Sequence, residues 1–192
     1  MKAINIILDE HRSLAGVIGG MVHLVRAIGE GRSPPDFRVF GTMIYYIDAF
    51  PERFHHPKED AYLFRILRQR DAGAAALIDR LQSEHRAGED KIRALAHALV
   101  RYQYGGADEF GQFAAAVEGY AAFHWEHMRA EEDRVLPLAR QHLTPSDWAE
   151  IDAAFASNDD PLVGVKAGET YDALFRRIAS LAPPPIGIGP ER

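Results

Sequence analysis

Apolar residues recur at steps of three and four along most of the chain. Ile4, Ile7, Leu8, His11, Leu14, Ala15, Ile18, Val22, Val25 and Ile28 share one stripe, which predicts an amphipathic helix ending near Gly29. The run GRSPPD at 31–36 closes it and leaves Asp36 to cap a second helix over 37–70. Pro51 and Pro57 should bend or reset that helix, since each lacks an N–H and crowds the carbonyl four residues earlier. A third helix begins near Ala74 with the stripe Leu77, Ile78, Leu81, His85, Gly88, Ile92, Leu95, Ala96, Leu99, Tyr102. After the turn YGGAD, a fourth carries Phe110, Phe113, Val117, Tyr120, His124, His127, Glu131 and Val135. Thr144 as N-cap, Pro145 at the first helical position and Asp147 in the first turn start a fifth. A sixth is expected over 169–181, ahead of the tail PPPIGIGPER. No period-two run is long enough for a sheet. The expected class is all-α: an antiparallel up-down four-helix bundle over 1–143, with two additional C-terminal helices in 144–192 packing on the same domain.

Several of these apolar stripes contain polar residues, and their heights in the bundle agree. His11 lies about 19 residues before the first turn and His55 about 19 after it, so at about 1.5 Å per residue both sit at one level. Glu59 and His85 are each about 13 residues from the second turn. His85 and His127 are likewise nearly level about the third. His55–Glu59 and His127–Glu131 are i, i+4 pairs, each placing an imidazole and a carboxylate on one helix face. One histidine in an apolar stripe is ordinarily a hydrogen-bonded core residue. Six groups in one layer, His11, His55, Glu59, His85, His127 and Glu131, are different, because two buried carboxylates are costly without positive charge between them. Metal ions supply that charge. Six N/O donors exceed one tetrahedral zinc and suit iron or manganese, as two ions bridged by Glu59 and Glu131 with two histidines each.

Composition narrows the chemistry. The 192 residues carry a formal charge of −6 and no cysteine, which excludes disulfides, thiolate metal sites and thiol redox chemistry. Basic residues are scattered, so nucleic acid and membrane surfaces are not expected partners. Asp9, Glu10 and His11 interrupt the N-terminal apolar run before a signal peptide's apolar region is complete, and no stretch is long enough to span a bilayer. A cytoplasmic location is expected.

FHHPKEDAYLF at 54–64, the histidines of DEHRSL and SEHRAGE, and HWEHMRAEEDRVLPLA together resemble the hemerythrin-like, HHE cation-binding family, over roughly residues 4–142. The resemblance implies a non-haem di-iron centre, oxo- or hydroxo-bridged, with manganese or zinc as possible substitutes and an open position for O2, NO or peroxide. The oxygen-carrying members have a second third-helix histidine where this chain has Glu89, which argues against simple O2 carriage. The pattern is closer to members linked to nitric-oxide response and repair of iron centres.

Three activities follow as expectations: binding of a small ligand, with a role in iron handling, nitric-oxide response or iron-centre repair; peroxide or NO reduction at the open position; and a metal-dependent sensor or interaction module. A ferritin-like oxidase would need two E-x-x-H motifs, and only Glu52–His55 fits. Beside the six, His56 is expected at a helix interface, or as a fifth ligand or outer donor. His124 either lines the ligand pocket or is structural. Asp60 and Glu132 are alternatives to the neighbouring carboxylates, and Glu89 is a third carboxylate or solvated. Tyr120, Phe54, Trp125 and Met128 are expected to pack the bundle, Tyr120 with a possible redox or hydrogen-bonding role, and His23, His97 and His142 to lie at the surface.

Overall fold

A computed structural model describes residues 1–156, and among these every regular element is helical. The first leg is α1 (Lys2–Gly29). Asp36 then caps α2 (Phe37–Ala49), its carboxylate accepting from the Arg38 and Val39 amides. The second leg is not one continuous helix. A π turn over Pro51–His55 follows α2, then the single turn α3 (His56–Lys58), a second π turn over Glu59–Phe64, and α4 (Arg65–Arg70). Pro51 and Pro57 account for the first interruption. Without its N–H, each proline leaves an α-type bond unmade, and the chain adopts i→i+5 bonds such as His55 N–H to the Phe50 carbonyl at 3.3 Å.

The third leg, α5 (Ala75–Gly105), is unbroken and ends at Gly106, whose φ of +80° is open to glycine but strained for other residues. The fourth leg is also interrupted: α6 (Phe110–Ala130), a π turn over Glu131–Val135, then α7 (Leu136–His142). α1 and α5 each pack against both α2 and α6, so the four legs enclose a common interior.

α8 (Pro145–Ala156) begins with a reciprocal cap, in which the Asp147 amide donates to Thr144 Oγ1 while Asp147 Oδ2 accepts from the Thr144 amide. Arg70 grips the same carboxylate with two bonds of 2.8 Å, and Asp152 accepts from the Ala3 amide at 2.7 Å. These bonds tie α8 to α4 and to the start of α1. The helix expected over 169–181, with the tail after it, lies outside the described residues.

The interior is split in two. One apolar cluster runs from Leu14 and Phe40 through Ile92 to Val117; the other joins Ile4 and Ile7 to Phe64, Leu81, Val135 and Phe155. Between them lies a layer of buried histidines and carboxylates.

Candidate metal centre

All six expected residues meet in that layer, and all are buried. Glu59 and Glu131 are each the first residue of a π turn, a local widening of the helix common at functional sites. Nε2 of His11 and His55 stand 3.1 Å apart, as do those of His85 and His127 at 3.0 Å. Glu59 directs Oε1 to His55 (3.4 Å) and Oε2 to His85 (3.5 Å). Glu131 directs Oε2 to His11 (3.3 Å) and Oε1 to His127 (3.2 Å). Two groups of four donor atoms result, His11–His55–Glu59–Glu131 and Glu59–His85–His127–Glu131, sharing both carboxylates. Separations near 3 Å are those of adjacent ligands each about 2.1 Å from a common cation.

The outer bonds show which ring nitrogen is free. His11 Nδ1 bonds Glu132 (2.9 Å), His55 Nδ1 bonds Glu10 (2.7 Å), His85 Nδ1 bonds Asp60 (3.0 Å) and His127 Nδ1 bonds Glu84 (2.9 Å). Each carboxylate comes from a different leg than the histidine it holds, and each adjoins one of the six in sequence. Followed round, the bonds form a closed circuit: first leg to second, second to third, third to fourth, fourth back to first. An Nδ1–H donating to a carboxylate leaves Nε2 as an inward lone pair, the form that ligates a cation.

The charges point the same way. All four carboxylate oxygens of Glu59 and Glu131 are buried with no hydrogen-bond donor. In the metal-free chain, protons must take the place of cations. Burial works against a charge on His11, yet the Glu131 carboxylate 3.3 Å away and the hydrogen bond to Glu132 outweigh it and raise its pKa to about 10. For His127 burial is again outweighed, here by the charge of Glu131 and the hydrogen bond to Glu84, and its pKa also rises to about 10. Burial, with the Glu131 charge, pushes Glu59 well above the usual carboxylate range, whereas His127 and His11 hold Glu131 well below it despite burial. The donor set and the orphaned oxygens fit divalent cations.

The hemerythrin HHE cation-binding domain matches residues 2–139. The chain belongs to that family. No curated protein and no solved structure matches it. Membership in the hemerythrin HHE family, with buried His/Glu groups able to hold metal, makes this layer its candidate cation site.

FHHPKEDAYLF contributes more than one imidazole and one carboxylate. His55 and Glu59 face the layer, Asp60 holds His85, and the rings of His56 and Phe64 lie parallel to that of His85 at 4.2 and 5.5 Å. His56 brings a ring nitrogen within 4.8 Å of those of His85 and His127. Lone pairs lie in the ring plane, so two parallel stacked imidazoles cannot aim at one ion. His56 therefore stands beside the second position, with Nδ1 on Glu52 (3.2 Å).

Asp60 and Glu132 do not replace their neighbours; they orient histidines. Glu89 is exposed and outside the layer. Trp125 is 40% exposed and lines a surface groove with Arg80 and Arg129, contrary to the packing role expected of it, because it points away from the stripe that carries His124 and His127. His97 is exposed, and His23 and His142 are half-buried. Glu10, Glu84 and Glu52 join the site unexpectedly, as partners of His55, His127 and His56. For the first two a signal existed: Glu-His occurs in both DEHRSL and SEHRAGE.

Proposed function

We propose that the chain is a non-haem di-iron protein that binds a small ligand, NO or a peroxide before O2, at an open position of an iron pair held by His11, His55, His85, His127, Glu59 and Glu131. The observation that carries this is four undonated carboxylate oxygens facing four inward Nε2 atoms in one buried layer. His11 and His55 would hold one ion, His85 and His127 the other, and the two glutamates would span both. A bound iron pair supplies redox equivalents and polarises a small ligand. The residues themselves hold the donors still: Nδ1 bonds fix ring orientation and tautomer, and the apolar clusters on either side exclude water. The exposed Glu89 leaves the third leg with one histidine in the layer, which disfavours reversible O2 carriage. Peroxide or NO reduction is the second reading, favoured by the buried polar groups beside His85 and His127. The bundle over 1–143, the C-terminal extension on the same unit and a cytoplasmic location belong to this proposal.

Metal analysis and absorption spectra test it. Purified from iron-replete medium, the chain should carry about two irons and absorb in the near ultraviolet as coupled ferric pairs do. A metal-replete preparation with well below one ion per chain overturns the reading.

A further inference from the structure

One helical turn from the metal layer, toward the cluster of Leu14 and Val117, is a second buried polar group that the metal positions do not use. Glu52 Oε2 accepts from His56 Nδ1 at 3.2 Å, and Tyr120 Oη donates to Glu52 Oε1 at 3.5 Å. His124 Nε2 is 4.0 Å from the same oxygen. Glu52, His56 and Tyr120 are nearly fully buried; His124 is wholly buried, and neither of its ring nitrogens has a partner. Gly88 makes room for the carboxyl: a Cβ there would lie 3.0 and 3.2 Å from the two Glu52 oxygens. An unpaired buried imidazole costs stability, and a bound molecule with hydrogen-bonding groups would offset that cost.

We propose that Glu52, His56, Tyr120 and His124 form a binding site for a small neutral molecule of the peroxide class, one that both donates and accepts hydrogen bonds. This rests on the metal reading only for its purpose, which is to hold that molecule beside the second position. The rings of His56 and His124 lie 4.2 Å from that of His85 and 6.2 Å from that of His127.

The class follows from the donors and acceptors. A cation takes only lone pairs, and among the described residues neither Glu52 nor His124 belongs to any cluster of ligand atoms close enough to share one ion. An anion takes only donors, yet at the centre of the group is the Glu52 carboxyl, whose oxygens accept from His56 and Tyr120 and would face the anion. Apolar O2 or NO gains little from any of them. Hydrogen peroxide, with two O–H donors and lone pairs on both oxygens, satisfies both kinds.

The test uses the full chain loaded with zinc, which does not consume peroxide, and 15N-histidine NMR during titration with hydrogen peroxide. The His124 and His56 resonances should shift saturably while His23 does not. Tyr120→Phe and Glu52→Gln, both conservative in size, should each weaken the apparent affinity roughly tenfold, the loss of one good hydrogen bond, while zinc content stays unchanged. An unmoved His124, or equal affinity in both folded variants, overturns the proposal. If zinc fails to bind, the same shifts in the zinc-free chain still decide this proposal, and the metal reading is decided separately by iron content.

Discussion

The two donor groups proposed as the first and second cation positions offer the same atoms, two histidine nitrogens and an oxygen from each of two shared carboxylates, and differ in what touches them. At the first, His55 meets the edge of Phe155 from α8, with ring centroids 6.5 Å apart, and His11 leans on the partly exposed Glu132. At the second, His56 and Phe64 lie parallel to His85, Phe123 lies parallel to His127, and the polar group around His124 is adjacent. Two donor groups of the same composition thus sit in different surroundings: the first is covered, and the second is braced by stacked rings and flanked by polar neighbours.

The largest effect should come from removing what the two positions share. Glu131→Leu should empty both, leaving well below one metal per chain after dialysis, because the layer would keep four imidazoles with only one carboxylate. If one full equivalent remains, the carboxylates do not bridge. Covering and bracing can then be separated. Phe155→Ala should cost about 3 to 5 kcal/mol of stability in denaturant titrations, as large buried aromatics do, and should speed metal loss from the first position more than from the second. Phe64→Ala should reverse that order, and a rate change shared equally by both positions would remove the distinction.

Smaller effects should follow from the outer carboxylates. Glu10→Gln should weaken the first position about 10- to 100-fold in competition with a chelator, and Glu84→Gln the second, each leaving the other within a fewfold. The pH dependence sharpens the role of charge. In the metal-free chain His11 and His127 have folded pKa values of about 10, above the usual value near 6.5. Their stabilisation is therefore fully present below about pH 6.5 and lost as pH rises toward 10. Thermal melts should show the metal-free protein weakening across that window while the metal-loaded protein does not. Glu89→Gln, at an exposed position, should change stability by less than about 0.5 kcal/mol and leave metal content intact.

Much of this was legible in the sequence. The helical stripes placed the legs, and equal distances from the turns placed the six residues at one height, because α-helices convert residue count into length. The π turns were only half legible: Pro51, Pro57 and Pro137 announce that an α-type bond is missing nearby, but not that the chain widens to i→i+5 bonds over Glu59–Phe64 and Glu131–Val135. His56 and His124 were ambiguous because a single helix face does not reveal which ring planes are parallel. Asp60 and Glu132 were read as rivals of their neighbours because sequence adjacency hides that each reaches across to another leg. Trp125 was misplaced because an aromatic among buried neighbours resembles packing until its angle around the helix is known.

The four Nδ1–carboxylate bonds close on themselves, so no leg is first or last among them. Backbone continuity is then incidental to recognition between the legs. A chain nicked by protease between Gly31 and Asp36 should stay together as two fragments. Expressed as separate peptides, 1–32 and 33–192 should find each other and restore the layer, with metal in the medium acting as the clasp.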